Sequence, residues 1–286
     1  MTRVENNLPG IIEPPRVSVI IPTFNRAWAV GKAIDSVLAQ DYPNVELIVV
    51  DDGSSDQTWA LLSAYKGALL SIHQPNQGVS AARNRGVTAA AGDLIAFLDS
   101  DDYWLPGKLS EQVAFFNAHS EALICQTEEI WIRNGCRVNP GRRHQKAAGD
   151  IFIPSLALCL VSPSAVMVKK TLFTEIGGFD EDLPACEDYD LWLRVSSRYP
   201  VHLIEKPLIV KQGGHPDQLS RQPGLDKYRI AAIEKMLARR SLTDEEYGAA
   251  VRVLKEKCEI YAAGCKKRGK NGEADYYWGL AQKYAG

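Results

Sequence analysis

The chain predicts an α/β protein, with a mostly parallel central sheet flanked by helices and a helical appendage at its C-terminal end. Three observations carry that expectation. Short β-branched runs alternate with helical patterns as far as residue 120, the rhythm turns irregular up to residue 222, and only helical patterns follow.

In order, "VSVII" (17–21) precedes a stretch with Trp28, Val30, Ala33, Ile34, Val37 and Leu38 at helical spacing, and "ELIVV" (46–50) precedes "QTWALLSAY". "LLSIH" (69–73) leads into "VSAARNRGVTAAA", and "DLIAFL" (93–98) into "LPGKLSEQVAFFNAH". Successive strand–helix units need crossover connections, which place helices on the sheet faces and bury both. Beyond residue 120, "ALICQTEEIWIR" reads as a longer strand and "NGCRVNPGRRHQKAAGD" as loop. The segment from "SAVMV" to "SSRYP" holds a strand, a short helix, a glycine turn and another helix. From about Gly224 three helices follow, separated by "SLTDEE" and "RGKNGEA", and Thr243 with Glu246 forms a capping box. The expected division is an extension over 1–16, one domain over 17–222 with halves 17–120 and 121–222, and a helical region over 223–286.

A chain of 286 residues can bury a full α/β core. Its net charge of -2 lacks the basic excess of a nucleic-acid binder, so no nucleic-acid partner is expected. The N-terminus has no apolar run of signal-peptide length, and "SLALCLVSPSAVMV" is interrupted by Pro163, so no transmembrane span is expected. That points to the cytoplasm, with peripheral attachment at the inner face of the membrane left open. Six scattered cysteines without a CxxC pair suit reduced thiols.

In an open parallel sheet ligands sit beyond the carboxyl ends of the strands. Those ends carry "PTFNR" (22–26), "DDGSSD" (51–56) and "DSDD" (99–102). The first has neither the G-x-G-x-x-G of a dinucleotide site nor the lysine loop of a nucleoside triphosphatase. A diphosphate placed beside Asp99 and Asp101 requires a divalent cation, and hard oxygen donors suit Mg²⁺ or Mn²⁺. Asp51 or Asp52 offers an acceptor to a base imide. Taken alone, "DDGS" reads better as an Asx turn with helix capping, and "DSDD" as solvated caps or a metal site equally.

Taken together, "VSVIIPTFNR", "ELIVVDDGSSDQT", "NQGVSAARNRG", "DLIAFLDSDDYWLPGKL" and the segment ending "CEDYDLWLR" resemble the family 2 glycosyltransferases of the GT-A fold, in order from about residue 17 to residue 222. The resemblance implies a metal-dependent, inverting transfer of a sugar from a nucleotide diphosphate sugar, UDP favoured, to the hydroxyl of a saccharide or lipid-linked saccharide in glycan synthesis. By that analogy Pro22, Thr23 and Asn25 line the nucleoside, Asp51 or Asp52 holds the base, and Arg83 reaches over the ligand. Asp101 is then the direct metal ligand in the D-x-D motif, and Asp99 contacts the ribose or a metal-bound water.

In "CEDYDLWLR", Asp188 shares a helix face with Leu191, Trp192 and Val195, whereas Glu187 lies towards Asp190 and Arg194. Decoration of a helix N-terminus explains both acids if they stand alone. With the upstream motifs, Asp188 is expected as general base, with Glu187 beside it. His215, after two glycines, is a third metal ligand by resemblance to transferases that close a histidine over the nucleotide; a solvated loop histidine explains it equally. A nucleotidyltransferase would need a glycine-rich basic loop in place of "PTFNRAWAV". A catalytically silent nucleotide-sugar-binding or scaffold protein of the same fold is the alternative, and association of copies through the C-terminal helices is open.

Overall fold

The computed structural model describes residues 14–215, 218–239 and 241–284, so most of the expected 1–16 extension lies outside the described residues, as do positions 216, 217, 240, 285 and 286 of the other expected segments. The first half is built from β1 (Val17–Thr23), α1 (Val30–Leu38), β2 (Val45–Asp51), α2 (Thr58–Ser63), β3 (Leu70–His73), α3 (Val79–Ala89), β4 (Leu94–Phe97), β5 (Tyr103–Trp104) and α4 (Lys108–Ala118). The second half has β6 (Ile124–Arg133), β7 (Cys136–Val138), α5 (Phe152–Ala157), β8 (Val166–Lys169), α6 (Thr171–Ile176), α7 (Glu187–Ser196) and β9 (His202–Gly213). Three helices follow: α8 (Asp226–Ala238), α9 (Asp244–Lys267) and α10 (Asn271–Lys283).

One mixed sheet runs β3-β2-β1-β4-β8-β6-β9-β5, with β7 paired to β6. The first four strands are parallel, as their crossover helices require. β8 enters antiparallel between β4 and β6. β6 and β9 are parallel to each other, with β5 and β7 as antiparallel edges. The irregular second half therefore extends the same sheet.

Alternation along the strands sends side chains to two cores. Val17, Val19 and Ile21 of β1 meet Val30, Ile34 and Val37 of α1 on one face, while Ile20 meets Ala82 of α3 and the α6 and α7 side on the other. Gly86 fixes the second approach: a Cβ there would fall 2.4 Å from Ile20 Cγ2. Trp28 does not belong to the apolar face of α1. It precedes the helix and is 59% exposed.

A third core joins Phe152, Leu156, Tyr189 and Leu193 of α5 and α7 to Ile233, Met236, Leu254 and Cys258 of α8 and α9. The C-terminal helices thus cover the side of α7 that faces away from the sheet. The capping box of α9 is complete, with Glu246 N donating to Thr243 Oγ1 and Thr243 N to Glu246 Oε2. All six cysteines are free thiols, and no described helix is long and apolar enough to cross a membrane.

Candidate active site

Beyond the carboxyl ends of β1, β2 and β4 lies a cleft of about 690 Å³, closed on its far side by the start of α7 and the end of β9. Pro22 sits in β1 where its β4 neighbour has already ended, the last pair being Ile20 with Phe97, so its missing N–H removes no ladder bond on that side. Thr23 is buried and its Oγ1 has no hydrogen-bond partner among the described residues, although it lines the cleft. Asn25 turns the chain with φ 51°. Its Oδ1 accepts from the N–H groups of Ser55 (2.8 Å) and Asp56 (3.3 Å), stitching the first strand end to the second.

Asp51 and Asp52 point to different places, as successive residues at a strand end must. Asp52 borders the cleft and accepts from the N–H groups of Gln77 (2.9 Å) and Gly78 (2.8 Å) and from Gln74 Nε2 (2.8 Å). Asp51 is fully buried, accepts the Ser54 hydroxyl at 2.5 Å, and lies 3.0 Å from His73 Nδ1. The expectation that either residue meets the base therefore narrows: Asp51 braces the loop from behind and does not line the cleft.

Arg83 is not poised to swing over a ligand. It is buried on α3, and its two terminal nitrogens are held, Nη1 to Glu187 Oε1 at 2.6 Å and Nη2 to Asp99 Oδ1 at 2.7 Å. Burial works against the guanidinium charge, but the two carboxylates more than offset it and raise its pKa. One side chain thus ties the "DSD" strand end to the "ED" helix start. Asp102 turns inward, accepting from Ser164 Oγ (2.7 Å) and Gln212 N (2.9 Å), and burial raises its pKa well above the usual carboxylate range.

Asp101 faces the cleft, with Oδ2 2.7 Å from His215 Nε2. Burial, then the nearby Asp99 charge, raises its pKa against the opposing pull of His215 and Arg26. Among the described residues no three of His, Cys, Asp and Glu converge as a ready metal cage. The expected set of Asp99, Asp101 and His215 is therefore not preassembled, because Asp99 is drawn to Arg83. The donor chemistry still fits a hard divalent ion. Six carboxylate residues line the cleft against four arginines and lysines, and such ions take one or two protein carboxylates and complete their shell with phosphate oxygens.

At the start of α7 the helix-face expectation fails in part. Glu187 is the more deeply buried of the two acids, and Asp190 and Arg194 are buried with it as an ion pair at 2.8 Å. Arg83 covers Glu187, and the carbonyls of Ile176 and Gly178 accept from the Arg194 guanidinium, so the face that periodicity alone assigns to water is closed. Burial raises the Glu187 pKa, with Arg83 opposing. Asp188 borders the cleft, its Oδ1 accepting from Tyr189 N at 2.7 Å and its Oδ2 3.8 Å from Cys159 Sγ. Cys186, immediately before, holds φ 61°, a conformation costly for a residue with a Cβ, and it sets the direction in which the two acids leave the loop.

Sequence reasoning missed Lys211 on β9 and Arg229 on α8, which also line the cleft. Burial disfavours the Lys211 ammonium, but Glu129, Asp102, Asp99 and Asp188 outweigh it and raise its pKa. The only signal in the sequence was that Lys211 stands two residues before the first of the two glycines that precede His215.

Comparison with known proteins bears on the family and the fold. The sequence model described as "Glycosyl transferase family 2" matches residues 18–166, and one described as "Glycosyltransferase like family 2" matches 147–220. An uncharacterized glycosyltransferase of Rickettsia typhi is 36% identical over 198 residues, 66% of this chain and 62% of that one. The chain thus spans a little over three fifths of the first curated relatives it matches. A protein of Escherichia coli named UDP-Glc:alpha-D-GlcNAc-diphosphoundecaprenol beta-1,3-glucosyltransferase is 32% identical over 64% of this chain and 70% of its own. In fold, the chain resembles residues 1–349 of TarS from S. aureus, solved with UDP-GlcNAc, at a TM-score of 0.72 and 21% identity, covering 93% of this chain and 79% of that one. A mannosyltransferase of Pyrobaculum calidifontis, solved with GDP-Man and Mn²⁺, gives a TM-score of 0.59 at 18% identity over 96% and 85% of the two chains.

Proposed function

Since the chain belongs to glycosyl transferase family 2 and has the GT-A fold, we propose that it transfers a sugar from a nucleoside diphosphate sugar to an acceptor hydroxyl, with inversion at the anomeric carbon, in glycan synthesis. The observation that supports the reading is the Asp99–Arg83–Glu187 bridge through buried Arg83, which ties the strand-end acids and the "ED" acids around one cleft. UDP is the favoured carrier, in keeping with the UDP-glucose in the name of the Escherichia coli relative.

In this reading Asp52 and the Thr23 hydroxyl, which has no hydrogen-bond partner among the described residues, meet the nucleoside, while Asp101 with His215 holds a divalent ion, Mn²⁺ or Mg²⁺. When bound, that ion supplies the positive charge that lets a leaving diphosphate rest among carboxylates. Asp188 takes the proton of the acceptor hydroxyl as its oxygen bonds to the anomeric carbon and the bond to the diphosphate breaks. A positioned base of this kind contributes about 10²–10⁴-fold. Glu187, held by Arg83, keeps the helix start in register with the strand-end acids and is a positioning residue.

Nucleoside diphosphate release from a panel of UDP-sugars with Mn²⁺, measured with a saccharide acceptor mixture, tests the assignment. Wild type releases UDP from at least one donor. Asp188→Asn loses about 10²-fold or more in turnover with donor affinity unchanged. Donor binding without any release by wild type would instead identify a silent nucleotide-sugar-binding protein.

A further inference from the structure

A second cavity of about 140 Å³ opens off the cleft, sharing Asp188, Cys159 and Lys211 with it. Its far wall is Glu129, Trp131, His144 and Lys146, none of which lines the main cleft. The volume is close to that of an engineered protein cavity that binds benzene, so a hexose would fill it and extend past its opening into the cleft. Its wall offers an aromatic face, with the Trp131 and His144 rings 5.2 Å apart. It also offers a nearly buried Ser162 whose Oγ has no hydrogen-bond partner among the described residues.

The charges inside this cavity balance. Lys146 pairs with Glu129 at 3.1 Å, and Lys211 faces Glu129 and Asp188. Burial and the charges of Arg143 and Arg133 lower the His144 pKa, so its ring is neutral at pH 7. The mouth is different. Arg133 lies 5.1 Å from the Trp131 ring, and Arg143 Nε donates to His144 Nε2 at 3.2 Å. With Arg137 and Arg142, these make four exposed arginines in a stretch, 130–149, that has no acidic residue.

A charge-balanced interior, with Asp188 where it meets the cleft and arginines packed on its outer wall residues Trp131 and His144, can order an acceptor. We propose that this cavity seats the acceptor's terminal neutral sugar, and that Arg133 and Arg143 select acceptors in which that sugar carries a phosphate or diphosphate on the side away from the attacking hydroxyl. The proposal rests on the sugar-transfer reading above and adds to it the residues of this chain that choose a phosphate-bearing acceptor.

Ligand-observed NMR on the full chain, with UDP and Mg²⁺ present, tests it. The probes are glucose, galactose, mannose and N-acetylglucosamine, each beside its 1-phosphate, together with N-acetylglucosamine on a farnesyl diphosphate. Wild type should bind at least one 1-phosphate about tenfold more tightly than the free sugar, an advantage that shrinks as salt rises. An Arg133→Gln/Arg143→Gln double variant should lose most of that advantage and keep its weak affinity for the free sugar. Trp131→Ala should weaken both. Equal affinity of the soluble 1-phosphate and the farnesyl form assigns recognition to phosphate alone. A further gain for the farnesyl form that salt does not reduce, on top of an arginine-dependent preference, assigns the carrier to a lipid, since a gain from its second phosphate shrinks as salt rises. No preference for any phosphate in wild type, or a preference untouched in the double variant, overturns the proposal. UDP binding in the same samples separates the two failures, because loss of UDP binding strikes the nucleotide-sugar reading itself.

Discussion

Lys108 is fully buried between the Trp104 ring, 4.1 Å from its ammonium, and Gln112 Oε1 at 2.5 Å. Burial pushes its pKa down to about 7 from 10.5. Between about pH 7 and 10.5 the unfolded chain therefore holds a proton on this residue that the folded chain lacks, and stability rises with pH across that window. Below pH 7 both states are protonated and the full cost of the buried charge remains. Lys108→Met should accordingly be more stable than wild type by a margin greatest below pH 7 and shrinking towards pH 10, measured by urea unfolding at each pH. A margin independent of pH would contradict the burial argument. Glu187→Gln tests a different residue-scale claim. It keeps a hydrogen-bond acceptor but strips a charge from a bridge to buried Arg83, so it should cost about 1–3 kcal/mol of stability, read as a fall in Tm of several degrees. Unchanged Tm would show that Arg83 is satisfied by Asp99 alone.

Among the elements, α3 shows how closely the site depends on packing. Ala82 and Gly86 lie against the sheet, and Arg83 leaves the same helix to bridge the two acid clusters. Gly86→Ala would drive a methyl group into Ile20, which has no exposed surface through which to yield. The expected result is a loss of about 1–3 kcal/mol, offset in part by the helix preference of alanine, with weaker donor binding as Arg83 shifts. Calorimetric titration of UDP beside urea unfolding checks both effects. The same scale explains what the sequence made legible. Near-continuous apolar, β-branched runs revealed β1, β2 and β4 because both faces of those strands are buried, and their acidic ends followed directly. β9 was hidden by Pro207 and its charged neighbours, yet Pro207 pairs with Glu128 at a register shift in the β6–β9 ladder, where a missing N–H is tolerated. With β9 went Lys211. The helix-face argument for Asp188 and Glu187 failed in part for a related reason, since periodicity cannot reveal that Arg83 of α3 and the carbonyls of Ile176 and Gly178 meet the Glu187–Asp190–Arg194 face of α7.

At the scale of the whole molecule, the sheet half supplies acids at strand ends, the second half supplies α7 and β9, and the C-terminal helices hold α7 from behind while Leu225 and Arg229 reach the cleft. These parts share one electrostatic problem. More carboxylate residues than basic ones line the cleft, and in the proposed reading a divalent ion supplies the positive charge that lets a nucleoside diphosphate rest there. Calorimetric titration of UDP into wild type and Asp101→Ala, each with and without Mn²⁺, tests that claim most directly. Wild type should bind UDP at least about 100-fold more tightly with Mn²⁺, and Asp101→Ala should lose most of that gain with its thermal unfolding unchanged. UDP affinity that is the same with and without Mn²⁺, or the same in Asp101→Ala as in wild type, would contradict the account.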